Sequence, residues 1–480
     1  MDPRRLVFEA MTTPSLHLTT LSLCLWGALA PLQAASPANW PAWRGPLASG
    51  VAPDAHPPIR WSESENVQWK VSIPGRGTST PVIWGDQVFI LTAVPTGPEA
   101  AAEASEAGGP PTDRPDRPDR PRRGGPGGPG GGRGGPGGGG GGMVDRPTRA
   151  QQFTVISFDR KTGKQRWMHS PRTQLPHEGH HKDHGFASAS PVTDGQHLIV
   201  SFGSFGLYGY DLKGKLLWEK DLGDMRTRNS FGEGSSPALD GNTVVVLWDH
   251  EGDDFIVALD KRTGRELWRQ HRDEPTGWCT PLIVSHSGRK QVIVNGTNKV
   301  RSYDLQDGKL LWECGGQTVN AIPSAVSAGD RVFLMSGYRG NALQALRLDR
   351  SGDLTGTDGI VWSHAKSTPY VPSPLLVGNT LYFLSNNSAM LSAFDAGSGK
   401  AHFEAERLEG LNGVYASPVA ADGRVYVVGR DGNTAVLRQG NALEVLAKNR
   451  LDDGFDASPA IVGKQLFLRG RQNLYCIAEK

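Results

Sequence analysis

The stretch "HEGHHKDHG", residues 177–185, places four histidines beside Glu178 and Asp183. Imidazole and carboxylate together suit a first-row metal such as Zn or Cu. His177 with His180 or His181, joined by Glu178, Asp183 or His184, would supply the ligands. The spacing matches no rigid scaffold such as His-Glu-x-x-His on a helix, and no cysteine joins it. A polar loop that caps a binding site through hydrogen bonds accounts for the same residues, and this is the reading we adopt. The metal-dependent enzyme is kept as an alternative. What decides between them is where the fold holds the loop.

The elements that hold it come from a repeat of 41–51 residues, broken once by an insertion. One anchor is a proline after a small or hydroxyl residue: Pro81, Pro191, Pro237, Pro281, Pro323, Pro374, Pro418 and Pro459. The other is an Asp, a Gly four residues on and a Trp eight on, cleanest in "ALDKRTGRELW" ending at Trp268. Trp167, Trp218, Trp312, Trp362 and Phe403 occupy the same place in the other copies. Between the anchors run short apolar stretches such as "HLIVSFG" and "RVYVVGR", bounded by Asp-Gly and Gly-Asn turns, which read as strands and hairpins. Four short strands per unit make a propeller blade. The eighth unit lacks an outer strand, and "ENVQWKVSI", with Trp69 in the Trp position, supplies it. The expected fold is all-β: an eight-bladed β-propeller of four-stranded antiparallel blades, the last blade closed by an N-terminal strand.

Strand alternation then sorts the loops. Turns such as "TDGQ" and "RKTGK" lie on one face; blade-to-blade loops and the turns between second and third strands lie on the other. The blade-to-blade loops end where the innermost strands begin, so they converge on the central channel. They bring Arg76, His184, Phe186, Arg228, Asn229, Glu233, Trp278, Tyr370, Tyr415 and Asp456 to one funnel. Such a lining is the expected site for a small ligand or a protein partner. The histidine loop, with His177, His180 and His181, falls on the connection between blades 1 and 2, over that funnel.

The repeat A-x-D-x-x-T-G-K/R-x-x-W resembles those of the quinoprotein dehydrogenases that use pyrroloquinoline quinone (PQQ). It is equally similar to that of the non-enzymatic outer-membrane-protein assembly factor BamB. "NWPAWRGPLASGVAP", "FGEGSSPALDGNTVVVLWDHEGDDFIVALDKRTGRELW" and "LDRSGDLTGTDGIVW" resemble a narrower group of secreted bacterial PQQ-binding-like propellers. The likeness runs from about residue 39 to the C-terminus apart from the insertion, and it speaks to fold more than function. The dehydrogenase likeness implies PQQ with calcium as cofactor. The chain departs from it in having no adjacent cysteines to cover the quinone and no evident acidic and amide set for the ion.

A net charge of +2 over 480 residues gives no basic field for nucleic acid. Arg4 and Arg5 precede an apolar run that ends at Ala34 and Ala35, which reads as a signal peptide over residues 1–35 rather than a transmembrane anchor. Leu23 before Cys24 fits lipidation poorly. Residues 36–480 are expected to form one propeller domain. Within it, residues 95–150, rich in Gly, Pro and Arg, cannot bury a core and read as a disordered insertion. The sequence therefore points to a secreted or periplasmic binding or scaffold propeller, a monomer, with a PQQ-dependent alcohol or sugar dehydrogenase as the alternative.

Overall fold

The computed structural model describes residues 39–99 and 143–479, so the expected signal peptide and most of the expected insertion lie outside it. Eight antiparallel sheets follow one another along the chain. Blade 1 holds Val82–Trp84, Gln87–Thr96, Ala150–Asp159 and Gln165–Gln174. Blade 8 holds Ala460–Val462, Gln465–Arg469 and Asn473–Ile477, completed by Val67–Ser72, which pairs antiparallel with Asn473–Ile477. The expected eight-blade closure by an N-terminal strand is therefore present. Middle strands are buried on both faces: Val244, Val245, Ile256, Val257 and Ala258 are all inaccessible, because each blade packs against two neighbours. This is why their sequences run apolar without alternation.

The Asp–Gly–Trp anchor is a device that joins adjacent blades. The Trp218 Nε1 donates to the Lys261 carbonyl at 2.8 Å, the residue after Asp260 in the next blade. Trp69, Trp167, Trp268 and Trp362 make the same bond to Arg160, Leu212, Leu305 and Ala396. Asp260 shapes the turn by accepting from the Arg262 amide (2.9 Å) and the Thr263 hydroxyl (3.2 Å). Gly264 has φ +67°, and a Cβ there would come within 2.6 Å of the Trp218 ring, so only glycine fits. Trp312 departs from the rule: its Nε1 donates to Gln291 Oε1 (3.1 Å), and Gln291 Nε2 passes the link to the Leu348 carbonyl (2.9 Å). The cause is the longer hairpin of blade 5, whose Gly352–Asp353 adds a parallel fifth strand beside Trp312 and Glu313.

The hydroxyl residues of the proline anchor form a second device. The backbone N–H groups of Thr80, Ser190, Ser236, Thr280, Ser324, Ser373 and Ser417 each donate to the hydroxyl of the next blade's anchor residue, at 2.7–3.2 Å. In blade 5 the equivalent residue is Ser324, so Pro323 stands two positions ahead of the slot the other prolines fill. The circle is open at the seam between blades 8 and 1, where the Thr80 hydroxyl has no hydrogen-bond partner among the described residues. Two arginines bind that seam instead. Arg469, buried, donates to the Ser79 carbonyl at 3.2 Å, and Arg160 reaches Gln465 Oε1 at 2.6 Å and the Gly85 carbonyl at 3.1 Å.

Residues 39–52 close the far end of the channel. Trp40 pairs with Ile83 of blade 1, the Thr193 amide of blade 2 donates to the Pro41 carbonyl, and Ala52 donates to Ala420 of blade 7. Arg44 is buried with its guanidinium on the carbonyls of Pro418 (3.0 Å), Pro374 (2.8 Å) and Ser49 (3.0 Å). A through-channel thus becomes a blind funnel.

Blade 1 is ordered further into the insertion than composition implied. Thr96 pairs with Ala150, and Val144–Asp145 forms a two-stranded ladder with His180–His181. Val94, Thr96, Gln152 and Phe153 keep strand-forming character that the Gly/Pro tract lacks. Replacing residues 100–142 with a short Gly-Ser linker is expected to leave the melting temperature nearly unchanged, because closure entropy depends weakly on length. Removing 97–148 also deletes the ladder and should loosen the histidine loop, a difference that proteolysis within residues 177–185 would reveal.

Candidate ligand funnel

The open end of the channel is a cavity of about 320 Å³. Its walls include Phe231, Trp278, Tyr338, Tyr370 and Tyr415, and its floor carries Trp43 with the hydroxyls of Ser190, Ser236, Thr280, Ser417 and Ser458. The Trp43 Nε1 donates to Ser458 Oγ at 3.3 Å, which fixes the indole across the floor. The Trp278 Nε1 donates to the Gly232 carbonyl at 2.7 Å, and Tyr338 stacks on Tyr370 at 4.8 Å.

Of the residues expected here, His184, Trp278, Tyr370, Tyr415 and Asp456 line the cavity. Arg76 stands at the rim, where it donates to the Lys182 carbonyl (2.5 Å) and pairs with Asp145 (3.4 Å). Phe186 packs edge-on against His180 at 4.6 Å. Arg228 and Asn229 form a short turn outside the lining, Asn229 in left-handed geometry at φ 54°. Sequence reasoning passed over Trp43, whose segment has no repeat spacing. Tyr338 and Arg430 lie in turns between second and third strands, which strand alternation places on this face, but their spacing does not single them out.

The histidine loop crosses the mouth. Asp183 pairs with Arg430 of blade 7 at 3.0 Å and accepts from the Tyr415 hydroxyl at 3.2 Å. Arg430 lies 3.9 Å from the Tyr415 ring and bonds Asp456 at 2.5 Å, which also meets Arg471 at 3.0 Å. Burial opposes the Asp183 charge, but Arg430 and Tyr415 more than offset it and hold its carboxyl below the usual range. The imidazoles have separate partners. His177 bonds the Met225 carbonyl (2.7 Å), His180 the His181 carbonyl (2.8 Å), and His181 accepts from the Asp183 amide (3.2 Å). Among the described residues no three His, Cys, Asp or Glu side chains converge as a metal site.

Glu233 points away from the funnel into a void of about 30 Å³ beneath the loop. It accepts from the Ser204 amide (2.8 Å) and hydroxyl (2.5 Å). Burial pushes its carboxyl up to about 7, and burial beside His180 and His181 pushes His184 down to about 3. An acid raised in the fold contributes most below its unfolded value near 4.5, and that contribution is lost as pH rises toward 7. Glu233→Gln should therefore stabilise the protein at pH 8, by on the order of 3 kcal/mol, and not at pH 4. Melting curves across pH test this. His184 has the opposite slope, since its share is present above about 6.5 and is lost as pH falls toward 3.

A closed ring of eight blades of quinoprotein-type repeats, with an aromatic-walled funnel at one end of its axis, defines the class. Within that class the chain belongs to the family described as outer membrane protein assembly factor BamB, whose model matches residues 151–401 and 253–480. A BamB of Shewanella oneidensis is 22% identical over 261 residues, which covers 52% of this chain and 60% of that relative. The crystal structure of BamB from Moraxella catarrhalis superposes with a TM-score of 0.50 at 14% identity, covering 70% of this chain and 96% of that one. Quinohemoprotein alcohol dehydrogenase from Comamonas testosteroni gives 0.59 at 11% identity, covering 94% and 82%. A europium-containing methanol dehydrogenase gives 0.60 at 10%, covering 92% and 98%. At these identities the structural likenesses establish the fold alone. Among the described residues no helix is long and apolar enough to cross a membrane.

Proposed function

We propose that this protein is an exported binding or scaffold propeller that receives a small ligand or a protein partner at the funnel and performs no chemistry of its own. The observation that carries this reading is the blind cavity, with locked aromatic walls and a floor made by Trp43. Membership of the BamB family supports a role in the cell envelope, and we place the chain there as a monomer.

The dehydrogenase reading needs residues to hold PQQ and calcium, and the funnel does not fit that group. Asp183 and Asp456 are already taken by Arg430, and no Lys or Arg lines the cavity to meet the quinone's carboxylates. The three described cysteines, Cys279, Cys314 and Cys476, are buried, and no two are adjacent in sequence. The test is to mix purified protein with PQQ and calcium and assay dye reduction with ethanol and glucose. We expect no turnover and no shift in melting temperature. Turnover that disappears in Trp278→Ala would establish the dehydrogenase instead.

A further inference from the structure

We propose that the funnel is a saccharide site, taking one uncharged sugar ring, free or at the end of a short glycan. The inference rests on the reading of the funnel as a ligand site. A sugar ring has an apolar C–H face and a rim of hydroxyls that donate and accept. The funnel offers a counterpart to each.

The apolar counterpart is a set of rings fixed before any ligand arrives. Trp278 is held by its bond to Gly232, Tyr338 and Tyr370 hold each other at 4.8 Å and 24°, and Tyr415 is pinned between Asp183 and Arg430. Rings already immobilised lose little further entropy when a flat face settles on them. The donors are at the floor. Ser190, Ser236, Thr280 and Ser417 each accept a backbone N–H, so each hydroxyl keeps its proton to give. The acceptors are at the mouth, where Arg430 orients the carboxylates of Asp183 and Asp456, each of which has more acceptor positions than that pairing uses.

Charge and polarity disfavour anionic and purely apolar ligands. Among the described residues no Lys or Arg lines the cavity, and the arginine at its mouth, Arg430, is already paired with Asp183 and Asp456, so an anion would have to compete with those carboxylates for it. A purely apolar ligand would cover the hydroxyls and carboxylates without replacing the hydrogen bonds they make to water.

The full-length protein is titrated with glucose, galactose, N-acetylglucosamine, maltose and cellobiose, following heat and tryptophan fluorescence. Acetate, benzoate, octanol and an uncharged decapeptide serve as the contrasting ligands. At least one neutral saccharide should bind and change the emission of Trp43 or Trp278, and Trp278→Ala should weaken it about tenfold or more. Tyr338→Ala carries the same expectation should Trp278→Ala not fold, and Leu310→Ser on the outer rim should bind as wild type. The proposal falls if saccharides do not bind while an anion, an alcohol or the peptide binds in a Trp278-dependent way; the funnel then remains a ligand site of another class. It also falls if saccharides bind equally well to Trp278→Ala and Tyr338→Ala. If none of these ligands shows Trp278-dependent binding, the ligand-site reading of the funnel falls with it.

Discussion

Deleting residues 36–75 is expected to abolish the cooperative melting transition and drive the protein into aggregates. The deletion removes Val67–Ser72, leaving Asn473–Ile477 as an exposed edge with unpaired N–H and C=O groups. It also removes Trp69, which is tilted against Phe467 at 5.9 Å, and Trp61, which stacks on Tyr426 at 6.4 Å. Trp40 and Arg44, both buried between blades, go with it. The finer change Trp69→Ala alone should cost about 3–5 kcal/mol, the usual range for emptying a buried aromatic site. Size-exclusion chromatography and a circular-dichroism melt are the measurements. A truncated protein that melts at the wild-type temperature would refute closure of the ring by this strand.

Arg272→Leu should be the most damaging single change in the body of the propeller. Arg272 meets Asp249 through two bonds, Nε to Oδ1 at 2.6 Å and Nη2 to Oδ2 at 3.0 Å, and gives a third to the Tyr303 hydroxyl at 2.7 Å. Both side chains of the ion pair are fully inaccessible. Burial works against the Arg272 cation, but Asp249, Tyr303 and Glu274 outweigh it and hold its pKa above the ordinary value. With the arginine gone, Asp249 is left as a buried charge without a partner, a loss of about 3–5 kcal/mol. The double variant Asp249→Asn, Arg272→Leu should recover part of it, since the uncompensated charge is removed too. Breaking Arg438–Glu444, where both side chains are more than half exposed, should cost less than about 1 kcal/mol. Urea unfolding of the three variants gives the ranking, and equal losses would show that burial is not what makes the inner pair matter.

The fold was legible because each repeat carries its own joinery. The Asp–Gly–Trp spacing records a turn and an inter-blade hydrogen bond, and the Ser or Thr before proline records a link to the next blade. Both are local in sequence, so they recur at a fixed interval. The funnel was half legible for the same reason. His184, Trp278, Tyr370, Tyr415 and Asp456 sit in loops whose place follows from strand direction. Trp43 does not repeat, and its position depends on a bond to Ser458 far along the chain and on the pairing of Trp40 with Ile83, which no local spacing announces. Glu233 shares the loop logic of the others, yet its side chain turns to Ser204, a choice made by a neighbouring blade. The partnership of Asp183 with Arg430 joins the connection between blades 1 and 2 to blade 7, segments far apart in sequence, and left no mark in either.

The two ends of the axis are not equivalent, and this gives the molecule a direction of display. Asn39 meets the Gly85 amide in the turn between the first two strands of blade 1, at the plugged end, whereas Met143 borders the open mouth. The described chain therefore enters the ring at the pole opposite the mouth, so the segment from Asn39 to Ala52 and a ligand in the funnel use different ends of the axis.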